Sequence, residues 1–204
     1  MSTEKRQYRK RQRAEDEERT RRRITEATVA LHETVGPLHT TVKAVAARAG
    51  VQRATVYRHF PDEGALFAAC SAHWLEGHRP PDPTPWTAIA DPEERLRTAL
   101  SAMYRFYRDG ESMVANVLRD EPYVETLAPL LHPMHELMTA IAGVLLKGRP
   151  QRGRRRMHVA AAVAHALAFD AWRSLARGGL DDEEIVELMV ALVRAAGAPR
   201  GKLP

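Results

Sequence analysis

The sequence predicts an all-α fold, with a small three-helix unit near the N-terminus and a larger helical domain behind it. Three observations predict it. The strong helix formers Ala, Leu, Arg and Glu dominate. Strand-type alternation is nearly absent, and apolar residues recur instead at i, i+3, i+4 and i+7. With 204 residues the chain has enough core to fold without staples, as one medium domain or two small ones.

Residues 1–13, MSTEKRQYRKRQR, hold six basic residues and almost nothing apolar. Such a segment cannot bury a core alone, so a basic N-terminal arm over 1–16 is expected, either disordered or extending the first helix. The following AEDEERTRR places acids before bases, spaced for i, i+4 pairs. A first helix is expected from about Glu17 to Val35, with Ile24, Ala27, Thr28, Leu31 and Val35 as its core stripe and Gly36-Pro37 as its end.

Next comes TTVKAVAARAGVQRATVYRHFPDEGALF, residues 40–67. Thr40 and Thr41 are N-cap types. Val42, Val45, Ala46 and Ala49 share one helix face, and Gly50 sits where a left-handed C-cap is needed. Val51 is the plug after the turn, and Gln52 opens a second helix, Arg53 to His59. Pro61 cannot continue that helix and suits the first turn of the next. Two short helices joined by a Gly-containing turn form a helix-turn-helix, spanning about residues 42–61. Its second helix is acid-free: Arg53, Ala54, Thr55, Tyr57, Arg58 and His59 face outward, while Val56 and Phe60 anchor it.

AVAARAGVQRATVYRHFPDEGALF resembles the DNA-binding region of the TetR family of bacterial transcriptional regulators, through the AGV turn, the TVYRHF helix and the following ALF. The resemblance covers about residues 20–70. It implies a TetR-like architecture, an N-terminal helix-turn-helix DNA-binding domain over 17–76 plus a helical ligand-binding and dimerisation domain. It further implies that Arg53 reads guanine O6/N7 and Ala54 lies against a thymine methyl. Thr41, Lys43, Thr55, Tyr57 and His59 would rest on phosphates, Arg58 could do either, and Gln52 joins the set. In the family the first helix approaches a phosphate, a role that Thr25 and Arg21–Arg23 are placed to take. One departure stands out: the family's phosphate-contacting Lys is replaced by Glu63. The arm is then either a solvated tail or a reader of the DNA minor groove.

A helix carrying Leu66, Phe67, Ala69, Cys70, His73 and Trp74 follows, and then GHRPPDPTPWTAIADPEE, with five prolines between Pro80 and Pro92. That run predicts a connection over 77–91 and a second domain over 92–204. Asp91 and Pro92 start a helix whose face is Leu96, Leu100, Met103, Tyr104 and Tyr107; Gly110 breaks it before a short helix in SMVANVLRDE. YVETLAPLLHPMHELMTAIAGVLLKG is expected to be a long helix, kinked or split at Pro129 and Pro133. Two apolar helices close the chain, at about 154–177 and 181–197. A helix apolar all round must be buried. The resemblance implies that these two form a homodimer interface, which suits a palindromic operator on double-stranded DNA.

Residues 1–60 carry 14 Lys/Arg against 7 Asp/Glu, while the rest carries 17 against 19. The basic end is therefore the helix-turn-helix end, an electrostatic footprint for a polyanion. The single Cys70 excludes an intrachain disulfide and reads as a small core residue, with a redox sensor as the alternative. No apolar run reaches the ~20 residues of a transmembrane helix. A cytoplasmic protein without membrane contact is the expectation.

There is no phosphate-binding Gly loop, no G-x-S-x-G and no HExxH, so no catalytic residue, metal site or cofactor is expected. His132 and His135 beside Glu136 are too common a spacing to mark a metal site. His158 and His165 share a helix face, for packing or pocket lining. Arg152–Arg156 reads as a solvated loop. Aromatic and Met side chains could surround an apolar effector: Met103, Tyr107, Met113, Met134, Met138, Phe169 and Trp172, with Asn116, His135 and His165 as polar fixtures. Core packing is the competing reading. The function expected is a ligand-responsive, sequence-specific repressor; the alternatives are an activator, a non-canonical DNA binder or a helical small-molecule-binding enzyme.

Overall fold

The structure, a computed structural model, describes residues 2–198, with side chains from residue 5 onward. The first four side chains of the expected arm and residues 199–204 of the expected second domain lie outside this description. Ten α-helices and three short 3-10 turns are formed, with no strand among the described residues. The helices are α1 (Ser2–Thr34), α2 (Val42–Ala49), α3 (Arg53–His59), α4 (Glu63–Gly77), α5 (Pro92–Asp109), α6 (Glu111–Asp120), α7 (Leu127–Leu146), α8 (Gly153–Leu167), α9 (Phe169–Arg177) and α10 (Asp182–Gly197).

The chain divides into two compact units. The first runs up to His78 and includes Ser112–Leu131; the second consists of Arg79–Glu111 and His132 onward. In the first, α1 packs on α2 and α4. Ile24, Val45, Val56, Phe60 and Phe67 are its buried centre, joined by Val124 and Leu127. Thr41 caps α2 by accepting from the Ala44 amide at 3.2 Å. Asp62 does the same for α4, from Ala65 at 2.7 Å. Gly50 takes φ 63° and ψ 40°, the left-handed C-cap a β-carbon would disfavour.

The C-terminus of α1 is closed by α6. Asn116 donates to the carbonyls of His32 and Glu33 at 2.8 and 2.9 Å. Asp120, buried, accepts the Leu38 amide at 3.0 Å and pairs with Arg119 at 2.7 Å. Burial pushes the Asp120 carboxyl up, but Arg119 and that amide outweigh it and hold it below the usual range. Beside them, the Sγ of buried Cys70 lies 3.4 Å from Nδ1 of buried His32. Desolvation raises the thiol to about 12 and lowers the imidazole to about 4. A thiol so protected is the core residue the sequence suggested, not a reactive one.

In the second unit α10 packs on α8 and α5. The Asp181–Glu184 capping box starts α10. Arg108–Asp182, Arg97–Glu187 and Arg194–Glu93 tie α10 to α5. The buried Arg95 spends its guanidinium on the carbonyls of Ile89, Val144 and Lys147.

Residues 2–16 extend α1, the second of the two states expected of the arm, so the helix begins well before Glu17. Three expectations are corrected. The helix expected from Tyr123 starts only at Leu127, because Glu121–Tyr123 is a 3-10 turn and Val124 is extended. Within α7, Pro133 is accommodated in one continuous element, and Pro129 falls in the first turn, where no amide is needed. The helix expected over 154–177 breaks at Ala168, whose ψ is 128°. The carbonyls freed there are taken up by tyrosine hydroxyls: Tyr104 donates to Ala166 at 2.8 Å and Tyr107 to Leu167 at 2.6 Å.

Candidate nucleic-acid interface

The outward face of α3 is built by what α3 buries. Val56 and Phe60 are 1 % and 2 % exposed, pinning the helix on the core. That registration leaves Gln52, Arg53, Ala54, Tyr57 and Arg58 exposed, with Thr55 and His59 half-buried. Tyr57 is 55 % exposed, an aromatic side chain held in solvent with no core role. No acid occurs in α3. At the start of α2, Thr41 and Lys43 are exposed too. Gln52 makes no side-chain cap to α3, so its amide remains available. His59 Nε2 is enclosed with no hydrogen-bond partner among the described residues.

Two arginines of α1 hold this face from behind. Arg21 donates to the His59 carbonyl at 2.9 Å, and its guanidinium lies 4.2 Å over the Phe60 ring. Arg23 donates to the carbonyl of Ala49, and to that of Gly50 at 3.3 Å. Cations at helix C-termini satisfy the last carbonyls and complement the dipole. This corrects the expectation that Thr25 and Arg21–Arg23 point at a phosphate. Thr25 is buried and donates to the Arg21 carbonyl at 3.1 Å, and Arg22 pairs with Glu26 at 2.9 Å. The capping roles were not legible, since each joins residues 26 to 38 positions apart.

Glu63 at the start of α4 also has an internal use. Its carboxylate accepts from the Thr126 hydroxyl at 3.2 Å, tying α4 to the segment that feeds Val124 and Leu127 into the core. Where the resemblance expects a cation for a phosphate, this chain has an acid bonded within its own fold.

The match to known proteins agrees with this geometry. Residues 24–70 match the model of the tetR family of bacterial regulatory proteins. Residues 24–70 thus carry the tetR-type DNA-binding region, about a quarter of the chain. The matched segment runs from Ile24, the buried centre of α1, to Cys70 in α4, so it contains the whole α2–α3 pair. Two solved structures share the TetR fold at low identity. A TetR-like transcriptional regulator from Rhodococcus sp. RHA1 is 22 % identical, with 86 % of this chain and 93 % of that one covered, at a TM-score of 0.61. NalD of Pseudomonas aeruginosa, the secondary repressor of the MexAB-OprM multidrug efflux pump, is 20 % identical, with 89 % and 97 % covered, at a TM-score of 0.57. A search of curated proteins returned no match.

Of the expected effector-binding residues, the second unit brings three together. Tyr107, Phe169 and Trp172 pack ring on ring, with centroids 5.3 to 5.7 Å apart. Met103 is buried, Met134 and Met138 are half-buried, and His135 and His165 are exposed. Met113 and Asn116 belong to the first unit, where Asn116 braces α1. His132 pairs with Glu136 at 3.3 Å on the surface. Among the described residues no helix is long and apolar enough to cross a membrane.

Proposed function

We propose that the chain is a homodimeric TetR-family repressor, released from a palindromic operator by a small molecule. The observation that carries the reading is the α3 face: exposed Arg53, Ala54, Tyr57 and Arg58, free of acids and locked in register by Val56 and Phe60. Such a helix fits the major groove, where Arg53 pairs bidentately with guanine and Ala54 abuts a thymine methyl. Gln52 and Arg58 flank it. Thr41, Lys43, Thr55, Tyr57 and His59 position it on phosphates. NalD, named a repressor, supports the sign of regulation.

Dimerisation is supported by what the second unit leaves uncovered. Met157 is 69 % exposed on α8, with Ala161 and Ala164 exposed one and two turns on. On α10, Leu188 and Leu192 are 47 % and 41 % exposed, with Ala191 and Ala195 beside them. Apolar stripes at this spacing call for a partner surface. A second copy of α8 and α10 supplies it, and a C2 dimer presents two α3 helices to two half-sites.

The effector would lie against the Tyr107, Phe169 and Trp172 cluster at the Ala168 break, with Met103 one turn before Tyr107 and His165 four residues before Phe169. The chain leaves the reader for this sensing part in the connection at about residues 77–91, and Ser112–Leu131 belongs to the reader's unit. Binding there shifts a two-state equilibrium by no more than the effector's differential affinity for the two states. A cytoplasmic location suits such a regulator. Footprinting on the chain's own upstream region tests the reading. A local repressor protects a short palindrome there, whereas an activator or a non-specific binder gives no such footprint.

A further inference from the structure

The first fifteen described side chains of α1, Lys5 to Arg19, are all exposed, although they continue the helix that anchors the reader unit. A helix polar on every side finds no stability in packing. Here it has only local support, from pairs such as Arg11–Glu15 and Asp16–Arg19. Its cations nevertheless have an order. At 100° per residue, Lys5, Arg6, Arg9, Lys10 and Arg13 fall within an arc of about 140°. This arc is the same face that α1 buries further along: Arg6, Arg13, Thr20 and Ala27 follow at seven-residue steps, as do Lys10, Glu17, Ile24 and Leu31. Among the described residues none of the five is seen in an ion pair, whereas Arg11, off the arc, pairs with Glu15. Further along the same arc stand two acids, Asp16, which Arg19 engages, and Glu17, so the basic stripe ends at Arg13.

We propose that this helical extension is a second DNA-binding surface, whose basic stripe follows the phosphates flanking each half-site. The proposal rests on the operator-binding function above. Continuity supports it, since α1 meets the reader through Arg21 at the end of α3 and Arg23 at the Gly50 turn, and the stripe begins two turns before them on the core-facing side. Shape decides how it binds. An α-helix is about 10–12 Å across, whereas the minor groove of B-DNA is about 6 Å wide, so the extension cannot enter that groove as an arm. It lies across the phosphates instead. The stripe from Lys5 to Arg13 rises about 12 Å, a length comparable to roughly three to four base pairs of backbone. The interaction is sequence-independent and adds affinity without base preference.

The test compares the full chain with a variant in which Lys5, Arg6, Arg9, Lys10 and Arg13 are all changed to Gln, a residue of good helix propensity that keeps length and shape. Both are titrated onto the selected site in a short duplex and in one extended by about ten base pairs on each side, over a range of salt. The native chain binds the longer duplex more tightly, by roughly tenfold or more at low salt. The variant binds both alike. Its slope of log K against log salt is less negative by about 0.9 for each phosphate it no longer neutralises, two or more per dimer. The order of preferred bases stays the same. Equal slopes and equal length dependence, with site preference intact, overturn the extension's role alone. A native chain that does not prefer its site over random duplex overturns the operator-binding function itself.

Discussion

Arg21 of α1 donates a hydrogen bond to the carbonyl of His59, the last residue of α3, 38 positions away, and covers the Phe60 ring that ends the helix. The exposed face of the reader helix is thus aimed by a residue that does not belong to it. Arg21→Gln removes a charge-assisted bond and a cation–π interaction, at a cost of about 1–2 kcal/mol of stability at this half-buried site. Operator affinity falls with it while the preferred sequence is unchanged. Urea unfolding and binding to a panel of single-base site variants measure both.

At the turn between α2 and α3 the backbone of Gly50 is left-handed, and a β-carbon there would approach the Arg23 guanidinium. Gly50→Ala costs about 1–2 kcal/mol. Gly50→Asn costs less, because Asn tolerates this conformation. Equal losses for the two would mean that crowding, not backbone conformation, sets the requirement.

The buried His32 gives stability a pH dependence. Desolvation lowers its pKa from 6.5 to about 4, so between these values the unfolded chain binds the extra proton and the folded chain does not. Stability is therefore fully present above about pH 6.5 and declines as pH falls towards 4, by roughly 3 kcal/mol in all. Unfolding free energies from pH 8 to pH 4 trace this fall. The His32→Gln variant, which cannot titrate, has a flatter curve over that window.

Much of this fold could be read from the sequence where the signal is local. Thr41 and Gly50 punctuate the helices by chemistry that acts within a few residues, and each does so as expected; at α4 the N-cap is Asp62, and Pro61, expected in the first turn, stands just before it. The α3 face was legible because Val56 and Phe60 set its phase. Three features were not, and the reason is the same. The break at Ala168 contains neither Gly nor Pro; it is held open by hydroxyls of Tyr104 and Tyr107, about 60 residues earlier. Arg21 and Arg23 look like part of a basic run until their distant carbonyl partners are known. For residues 2–16 a helical extension is one of two readings the sequence allows, and the choice between them was not legible because it rests on weak local ion pairs.

The apolar rows of α8 and α10 predict a separation between folding and assembly. In a single chain Leu188 and Leu192 face solvent, so changing both to Glu alters subunit stability by no more than about 0.5 kcal/mol per site. In a dimer built on these helices the same change places charges at an apolar interface and yields monomers. Sedimentation and urea unfolding of the double variant read the two effects independently.

The account rests on Arg53 as a reader of bases, and selection of bound sequences from random DNA tests that most directly. The native chain should enrich a palindrome with a guanine at one defined position of each half-site. Arg53→Ala should bind that site about 1–3 kcal/mol more weakly and lose the preference at that position only. An Arg53→Ala selection returning the same palindrome, with affinity lowered equally on every sequence, would contradict base reading by Arg53 and leave it a phosphate contact.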